Sequence, residues 1–136
     1  MAESTSTDRL IERLKTELAR QPDLELAVVF GSVASGRARP DSDLDIAVLA
    51  GQPFGAERKR ELIELLARIS GRAVDLIDLR TAGVPILRSA LIGGKRILCR
   101  DNALYAGLLS RMLIDSADFL PYRERLLRER RRSWIA

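Results

Sequence analysis

The segment 24-LELAVVFGSVASGRARPDSDLDIAVLA-50 decides how this chain folds. It begins with Leu24 to Phe30, a continuous apolar run typical of a buried β-strand, and this run leads directly into Gly31-Ser32. The loop from Gly36 to Ser42 is rich in Gly, Pro, Asp and Ser, which favour turns. The residues that follow the loop alternate between apolar and acidic or small, so they predict a second strand.

The apolar spacing outside this segment predicts further helices and strands around one sheet. The predicted helices are Asp8–Gln21, with Ser and Thr before it as caps, Ala56–Ser70, ended by Gly71, Val84–Ile92, and Asn102 to about Arg132 with a break near Pro121. The predicted strands are Ala73–Leu79 and Lys95–Cys99, the latter after a Gly93-Gly94 turn. This order predicts an α/β sandwich in one domain of 136 residues, with a core at about 8–100 and a helical segment at about 102–132.

The chain has no histidine and one cysteine, Cys99, in an apolar stretch. The lack of histidine excludes a Ser-His-Asp triad, a Cys-His nucleophile pair and a histidine-bound zinc site. A single cysteine excludes an internal disulfide, so we expect Cys99 to be a small core residue. Any metal must therefore be held by oxygen ligands, which favour magnesium, manganese or calcium.

The net charge of +4 is concentrated between Arg123 and Arg132. Such a run is typical of a solvated helix face or a frayed end; docking of an acidic partner is the alternative. With 4% aromatic residues, a base-stacking platform is unsupported, and we expect no direct nucleic-acid binding. The polar start, Met1 to Thr7, predicts neither a signal peptide nor a membrane span, so we expect a cytoplasmic protein.

Three aspartates form the candidate metal site. Residues two apart on a strand face the same way, so Asp43 and Asp45 should project side by side. Two neighbouring carboxylates repel, and magnesium would offset that repulsion. Asp75 lies on a strand predicted to be adjacent and is favoured as a third ligand over Asp78, which we expect at the strand end as the cap of the next helix. Three carboxylates can hold two ions and promote in-line displacement at phosphorus.

The candidate phosphate site is Gly31-Ser32, ten residues before the aspartates. Glycine permits close approach of backbone to phosphate, and N–H groups of a short helix opening at Val33 would meet the anion. Ser42 is either a turn residue or a nucleotide contact. Arg37 or Arg39 could reach the triphosphate, although loop arginines are mostly solvated. The aromatic side chains of Tyr105, Tyr122 and Trp134 are expected to pack or to lie on the surface.

Gly31-Ser32, the ten-residue spacing and Asp43-Leu44-Asp45 resemble the signature of the DNA polymerase β-like nucleotidyltransferase superfamily. Together with Val74–Leu79, they are most similar to its minimal nucleotidyltransferase (MNT) group, and within it to the MntA-like adenylyltransferase antitoxins of HEPN/MNT toxin–antitoxin systems. The resemblance implies the nucleotidyltransferase fold, with a mixed sheet of about four strands. It also implies that Gly31 and Ser32 hold the triphosphate and that Asp43, Asp45 and Asp75 bind magnesium, with Asp75 a candidate proton acceptor.

The resemblance further implies the co-substrate, the acceptor and the partner. In this group, AMP from ATP is added to a tyrosine of a HEPN RNase toxin, which silences the toxin. The chain lacks the additional domains with which larger relatives grip a small molecule or a template, so a protein acceptor would complete the site in a hetero-oligomer. Two alternatives stay open: an antitoxin of the same fold that neutralises by binding alone, and a transferase for a small hydroxylated molecule.

Overall fold

A computed structural model describes residues 2–115, with side chains from residue 6 onward. The helices are α1 Ala2–Ala19, α2 Gly31–Ser35, α3 Ala56–Ser70, α4 Val84–Leu91 and α5, described over residues 102–115. The strands are β1 Leu24–Phe30, β2 Leu44–Ala50, β3 Val74–Asp78 and β4 Lys95–Cys99.

The four strands form one mixed sheet in the order β3-β2-β1-β4. Strand β1 is antiparallel to both β2 and β4, whereas β2 and β3 are parallel. The parallel pair is joined by α3, as expected of a connection that must return to the same end of the sheet. The predicted nucleotidyltransferase fold, with about four strands flanked by helices and a C-terminal helix, is confirmed.

Helices cover both faces of the sheet because the strand residues on each face are apolar. On one face, α1 and α3 pack on β1 and β2 through fully buried leucines, including Leu14, Leu18, Leu62 and Leu66. On the other face, α4 and α5 contribute Leu87, Leu91 and Met112. Each such side chain stabilises the fold by about 1.5–3 kcal/mol through burial. The two layers hold the strand ends that carry the aspartates.

Several sequence predictions need correction. Helix α1 begins at Ala2 instead of Asp8, so the serines and threonines expected as caps lie inside the helix. These residues also form helix when no glycine or proline interrupts them. Cys99 is half-buried, with its thiol 3.5 Å from Asn102 Oδ1, because it lies where β4 ends. The break near Pro121 and the Arg123–Arg132 run lie outside the described residues.

Within residues 2–115, no helix is both long and apolar enough to cross a bilayer.

Candidate active site

The candidate active site lies at one end of the sheet, here called the site end, where β1 stops and β2 and β3 start. Because β1 is antiparallel to β2, Phe30 pairs with Asp45 and places Gly31 beside it. Because β2 is parallel to β3, Asp45 pairs with Asp75. The strand pairing thus brings together the glycine turn and two of the predicted carboxylates, from three separate parts of the chain.

Gly31 is crowded by the carboxylate of Asp45. Its backbone has φ of +72°, in the left-handed region that favours glycine. A Cβ atom at this position would overlap Asp45 Oδ2 and lie 3.1 Å from Asp45 Cγ. The sequence predicted glycine here for the approach of phosphate. The structure adds a second reason, since any side chain at position 31 would displace the carboxylate.

Asp45 carries the strongest electrostatic strain of the site. Burial raises the pKa of its carboxyl above the ordinary value, and the negative charges of Asp75 and then Asp43 raise this pKa further. Asp43, immediately before β2, and Asp75 are both exposed. The site end therefore concentrates negative charge that only a cation or protons would relieve.

A metal ion at the site end would need more ligands than the aspartates of the described residues provide. Within residues 2–115, no group of three or more Asp, Glu, Cys or His side chains converges closely enough to hold an ion. The hard oxygen donors of Asp43 and Asp45 still fit magnesium, which commonly binds one or two carboxylates together with substrate phosphates and water. A fit of this kind needs the nucleotide to complete the coordination.

The candidate phosphate-binding segment is the short helix α2, which begins at Gly31 and not at Val33 as the sequence predicted. Phe30 occupies its N-cap position in extended conformation, and no side chain caps the helix. Ser32 is half-buried in the first turn. Uncapped N–H groups at this position can meet an anion, so the arrangement is compatible with the role expected for Gly31 and Ser32.

Ser42 closes the turn that precedes Asp43. Its hydroxyl accepts a hydrogen bond from the Arg39 N–H at 2.8 Å, and its own N–H donates to Arg39 O at 3.0 Å. These bonds are those of a turn residue. Contact of Ser42 with nucleotide stays a prediction, as does any approach of the exposed Arg37 and Arg39 to phosphate.

Arg72 was missed by sequence reasoning. Its Nη1 donates to Arg39 O at 2.6 Å and to Ser42 O at 2.8 Å, so one guanidinium nitrogen holds both ends of the turn. No local sequence pattern predicts this contact, because Arg72 is 30 residues from Ser42 in the chain. The only signal is its position between the glycine that ends α3 and the strand that carries Asp75.

Asp78 ends β3, as expected, but it does not cap α4. Its Oδ1 accepts from the Arg80 N–H at 2.9 Å, within a turn, whereas the N-cap of α4 is Gly83. The aspartate is too far along the chain from the first turn of α4 to reach its N–H groups. Tyr105 packs as expected: its hydroxyl donates to Leu91 O at 2.7 Å, and the Arg96 guanidinium lies 4.1 Å from its ring centroid.

The site end is open to large acceptors, since Gly31, Asp43 and Asp75 are all exposed. Two surface depressions, of about 450 and 370 Å³, lie instead at the opposite end of the strands, against Arg80 and Arg58 respectively. These two depressions are therefore separate from the carboxylates, whereas a third, of about 290 Å³, is lined in part by Ser70 and Arg72 near the start of β3.

Comparison with known proteins agrees with this geometry. The model of the family described as "Polymerase beta, Nucleotidyltransferase" matches residues 12–103, and the chain belongs to this nucleotidyltransferase family. The chain is also 33% identical to "Protein adenylyltransferase MntA" of Shewanella oneidensis strain MR-1, over 73% of this chain and 70% of that protein.

Solved structures give the same relationship. A chain of a toxin–antitoxin crystal structure with AMP-PNP is 27% identical, with a TM-score of 0.71, and the match covers 84% of this chain and 93% of that one. A chain from the complex of tri-AMPylated Shewanella oneidensis HEPN toxin with MNT antitoxin is 26% identical, with a TM-score of 0.61; 92% of this chain and 98% of that one are covered.

Proposed function

We propose that this chain is the antitoxin of a HEPN/MNT pair and an adenylyltransferase that moves AMP from ATP to a tyrosine hydroxyl of its HEPN toxin. The observation that carries the proposal is the pairing of Asp45 with Asp75 beside a glycine of positive φ, where an added Cβ would overlap the Asp45 carboxylate. The similarity to an adenylyltransferase and to chains in toxin–antitoxin complexes supports the choice of acceptor. The cytoplasmic location expected from the sequence stays a prediction.

The proposed reaction is a displacement at the α-phosphorus of ATP. The tyrosine oxygen forms a bond to this phosphorus, the bond from the α-phosphorus to the oxygen that joins it to the β-phosphate breaks, and pyrophosphate leaves with that oxygen and the electron pair. The tyrosine proton passes to a carboxylate or to water, and Asp75 is the candidate acceptor because it is exposed beside Asp45. A free tyrosine, with a pKa of about 10, needs such help at neutral pH.

Each part of the site has an assigned task in this proposal. Gly31 and Ser32 hold the triphosphate through backbone N–H groups and a hydroxyl. Asp43 and Asp45 would hold magnesium, with Asp75 as a further ligand if a second ion binds. Magnesium held there would offset the repulsion among the carboxylates and neutralise charge on the departing pyrophosphate. The open surface leaves room for the toxin to present its tyrosine.

Intact-mass spectrometry tests the proposal. The chain is mixed with the HEPN protein of a neighbouring reading frame, ATP and magnesium. We expect the HEPN protein to gain the mass of one or more AMP groups, and the tyrosine to be identified by peptide fragmentation. The matched control is the Asp43→Asn/Asp45→Asn double variant. If both proteins are folded and no mass is gained, the adenylyltransferase proposal is wrong; toxin neutralisation by the double variant would instead favour the binding antitoxin.

A further inference from the structure

Asp43 is the site carboxylate whose position is least explained by the strands. It precedes β2, and its side chain is exposed. Nevertheless, both of its neighbouring peptide groups are held. On one side, Ser42 O accepts from Arg72 Nη1 at 2.8 Å, and on the other, the Leu44 N–H donates to Ala73 O at 2.8 Å. Two consecutive residues, 72 and 73, thus fix the backbone before and after Asp43.

The bond from Arg72 does more than cap a single carbonyl. The same Nη1 also donates to Arg39 O at 2.6 Å, and the turn between Arg39 and Ser42 is itself closed by two hydrogen bonds. The guanidinium therefore fastens a compact turn as a unit. If this side chain were removed, both carbonyls would lose a charged donor.

The direction of Arg72 is set by the end of α3. Gly71 has φ of +66°, which terminates the helix, and the Arg72 N–H donates to Ser70 Oγ at 3.2 Å. The chain then enters β3, which carries Asp75. Arg72 consequently connects the turn that supports Asp43 to the strand that supports Asp75.

We propose that Arg72 is a positioning residue, which sets the place of Asp43 for metal-nucleotide binding by clamping the turn at residues 39–42. The inference rests on the proposed function, because it takes Asp43 to be a magnesium ligand. Arg72 acts through backbone carbonyls and not by contact with the triphosphate. In well-defined metal sites, loss of a group that hydrogen-bonds a ligating side chain lowers metal affinity by about 10–100-fold. Because Arg72 supports Asp43 through the backbone, we expect an effect at the lower end of this range.

The test measures binding of AMP-PNP by calorimetry at stepped magnesium concentrations, without any transfer reaction. We expect Arg72→Ala to need about tenfold more magnesium for half-maximal AMP-PNP binding than the wild type. Arg72→Lys should stay within about threefold of the wild type, because one ammonium can donate to both carbonyls. The matched control is Arg58→Ala, which removes an arginine clamp at the opposite end of the sheet and should leave the magnesium requirement unchanged.

The outcomes separate this inference from the proposed function. A wild type that binds AMP-PNP, with an Arg72→Ala variant that needs no more magnesium, overturns the positioning role alone. A wild type that binds no AMP-PNP at any magnesium concentration overturns both. Should Arg72→Ala fail to fold, as seen by circular dichroism, Arg72→Lys decides. A tenfold rise in its magnesium requirement despite a native melting temperature would overturn the proposal, because Arg72 would then be needed for more than clamping the turn.

Discussion

The two ends of the sheet place their aspartates in opposite electrostatic environments. At the far end, where β1 starts and β2 stops, Asp23 is paired with Arg58, whose Nε and Nη2 donate to its two carboxylate oxygens at 2.9 and 2.8 Å. These hydrogen bonds lower the pKa of Asp23. At the site end, the pKa of Asp45 is raised by burial and by the charges of Asp75 and Asp43. The charge of the Asp23 carboxylate is therefore stabilised by Arg58, whereas the charge of the Asp45 carboxylate is destabilised by its surroundings.

This contrast indicates a structural role for Asp23 and a functional role for Asp45. Asp23 stabilises the folded chain because its charged form has a partner. The charged form of Asp45 is favoured less in the folded state than in the unfolded chain, so it costs stability at neutral pH. A strained carboxylate is typical of a functional site, where a ligand supplies the missing partner.

Asp45→Asn has the largest expected effect. We expect AMP transfer to the HEPN partner to fall about a thousandfold or more, because a magnesium ligand and its charge are lost. The measurement is the initial rate of AMP incorporation. Asp23→Asn is the matched control at the far end, and its rate should equal that of the wild type. Equal rates for Asp45→Asn and Asp23→Asn would remove the functional distinction between the two ends.

Gly31→Ala tests the crowding of the Asp45 carboxylate. We expect a loss of about 2–3 kcal/mol in the free energy of unfolding, from the positive φ together with overlap with Asp45. Transfer should fall about a hundredfold as Asp45 is displaced. Gly36→Ala is the control, since Gly36 has φ of +77° but no atom within 4 Å of an added Cβ. It should cost only about 1 kcal/mol; equal losses in urea unfolding would refute the crowding.

Arg58→Met has a smaller expected effect, confined to stability. The side chains of Arg58 and Asp23 are 29% and 42% exposed, so solvent screens the pair, and we expect a loss of about 0.5–1 kcal/mol with transfer unchanged. Because the pKa of Asp23 is lowered, its contribution is fully present above the ordinary pKa of 3.8 and is lost as pH falls through the lower folded value. Urea unfolding should show a smaller deficit at a pH below the folded pKa of Asp23 than at pH 7, and the part that remains reflects the lost bond from Arg58 Nη2 to Gln21 Oε1.

The sequence predicted much of this arrangement because the decisive patterns are local. The limits of β1, α3 and β4 agree with the structure, since an apolar run or stripe with clear turn residues at its ends marks each of them. The two-residue period of strands predicted the face on which Asp75 lies, whereas the register that pairs it with Asp45 comes from the structure. The predicted start of α1 was wrong because Ser and Thr occur both as helix caps and within helical turns.

The rest depends on contacts between distant parts of the chain. The clamp from Arg72 to Ser42 and the overlap that disfavours a side chain at position 31 arise only after β1, β2 and β3 are assembled. Asp78 was misassigned because its carboxylate accepts from the Arg80 N–H in a turn that separates β3 from the start of α4. Spacing therefore predicted that Asp45 and Asp75 lie on adjacent strands. It did not predict the hydrogen bonds that hold the turn before β2 or the raised pKa of Asp45.

Thermal unfolding of the wild type and Asp45→Asn, with and without magnesium and ATP, tests the strained site most directly. We predict that Asp45→Asn is at least as stable as the wild type without ligand, because like-charge repulsion is relieved. With ligand at a hundredfold excess over Kd, the wild type should gain about 2.7 kcal/mol and the variant almost none. A variant that is less stable than the wild type without ligand, yet gains the same stability from magnesium and ATP, would contradict the account.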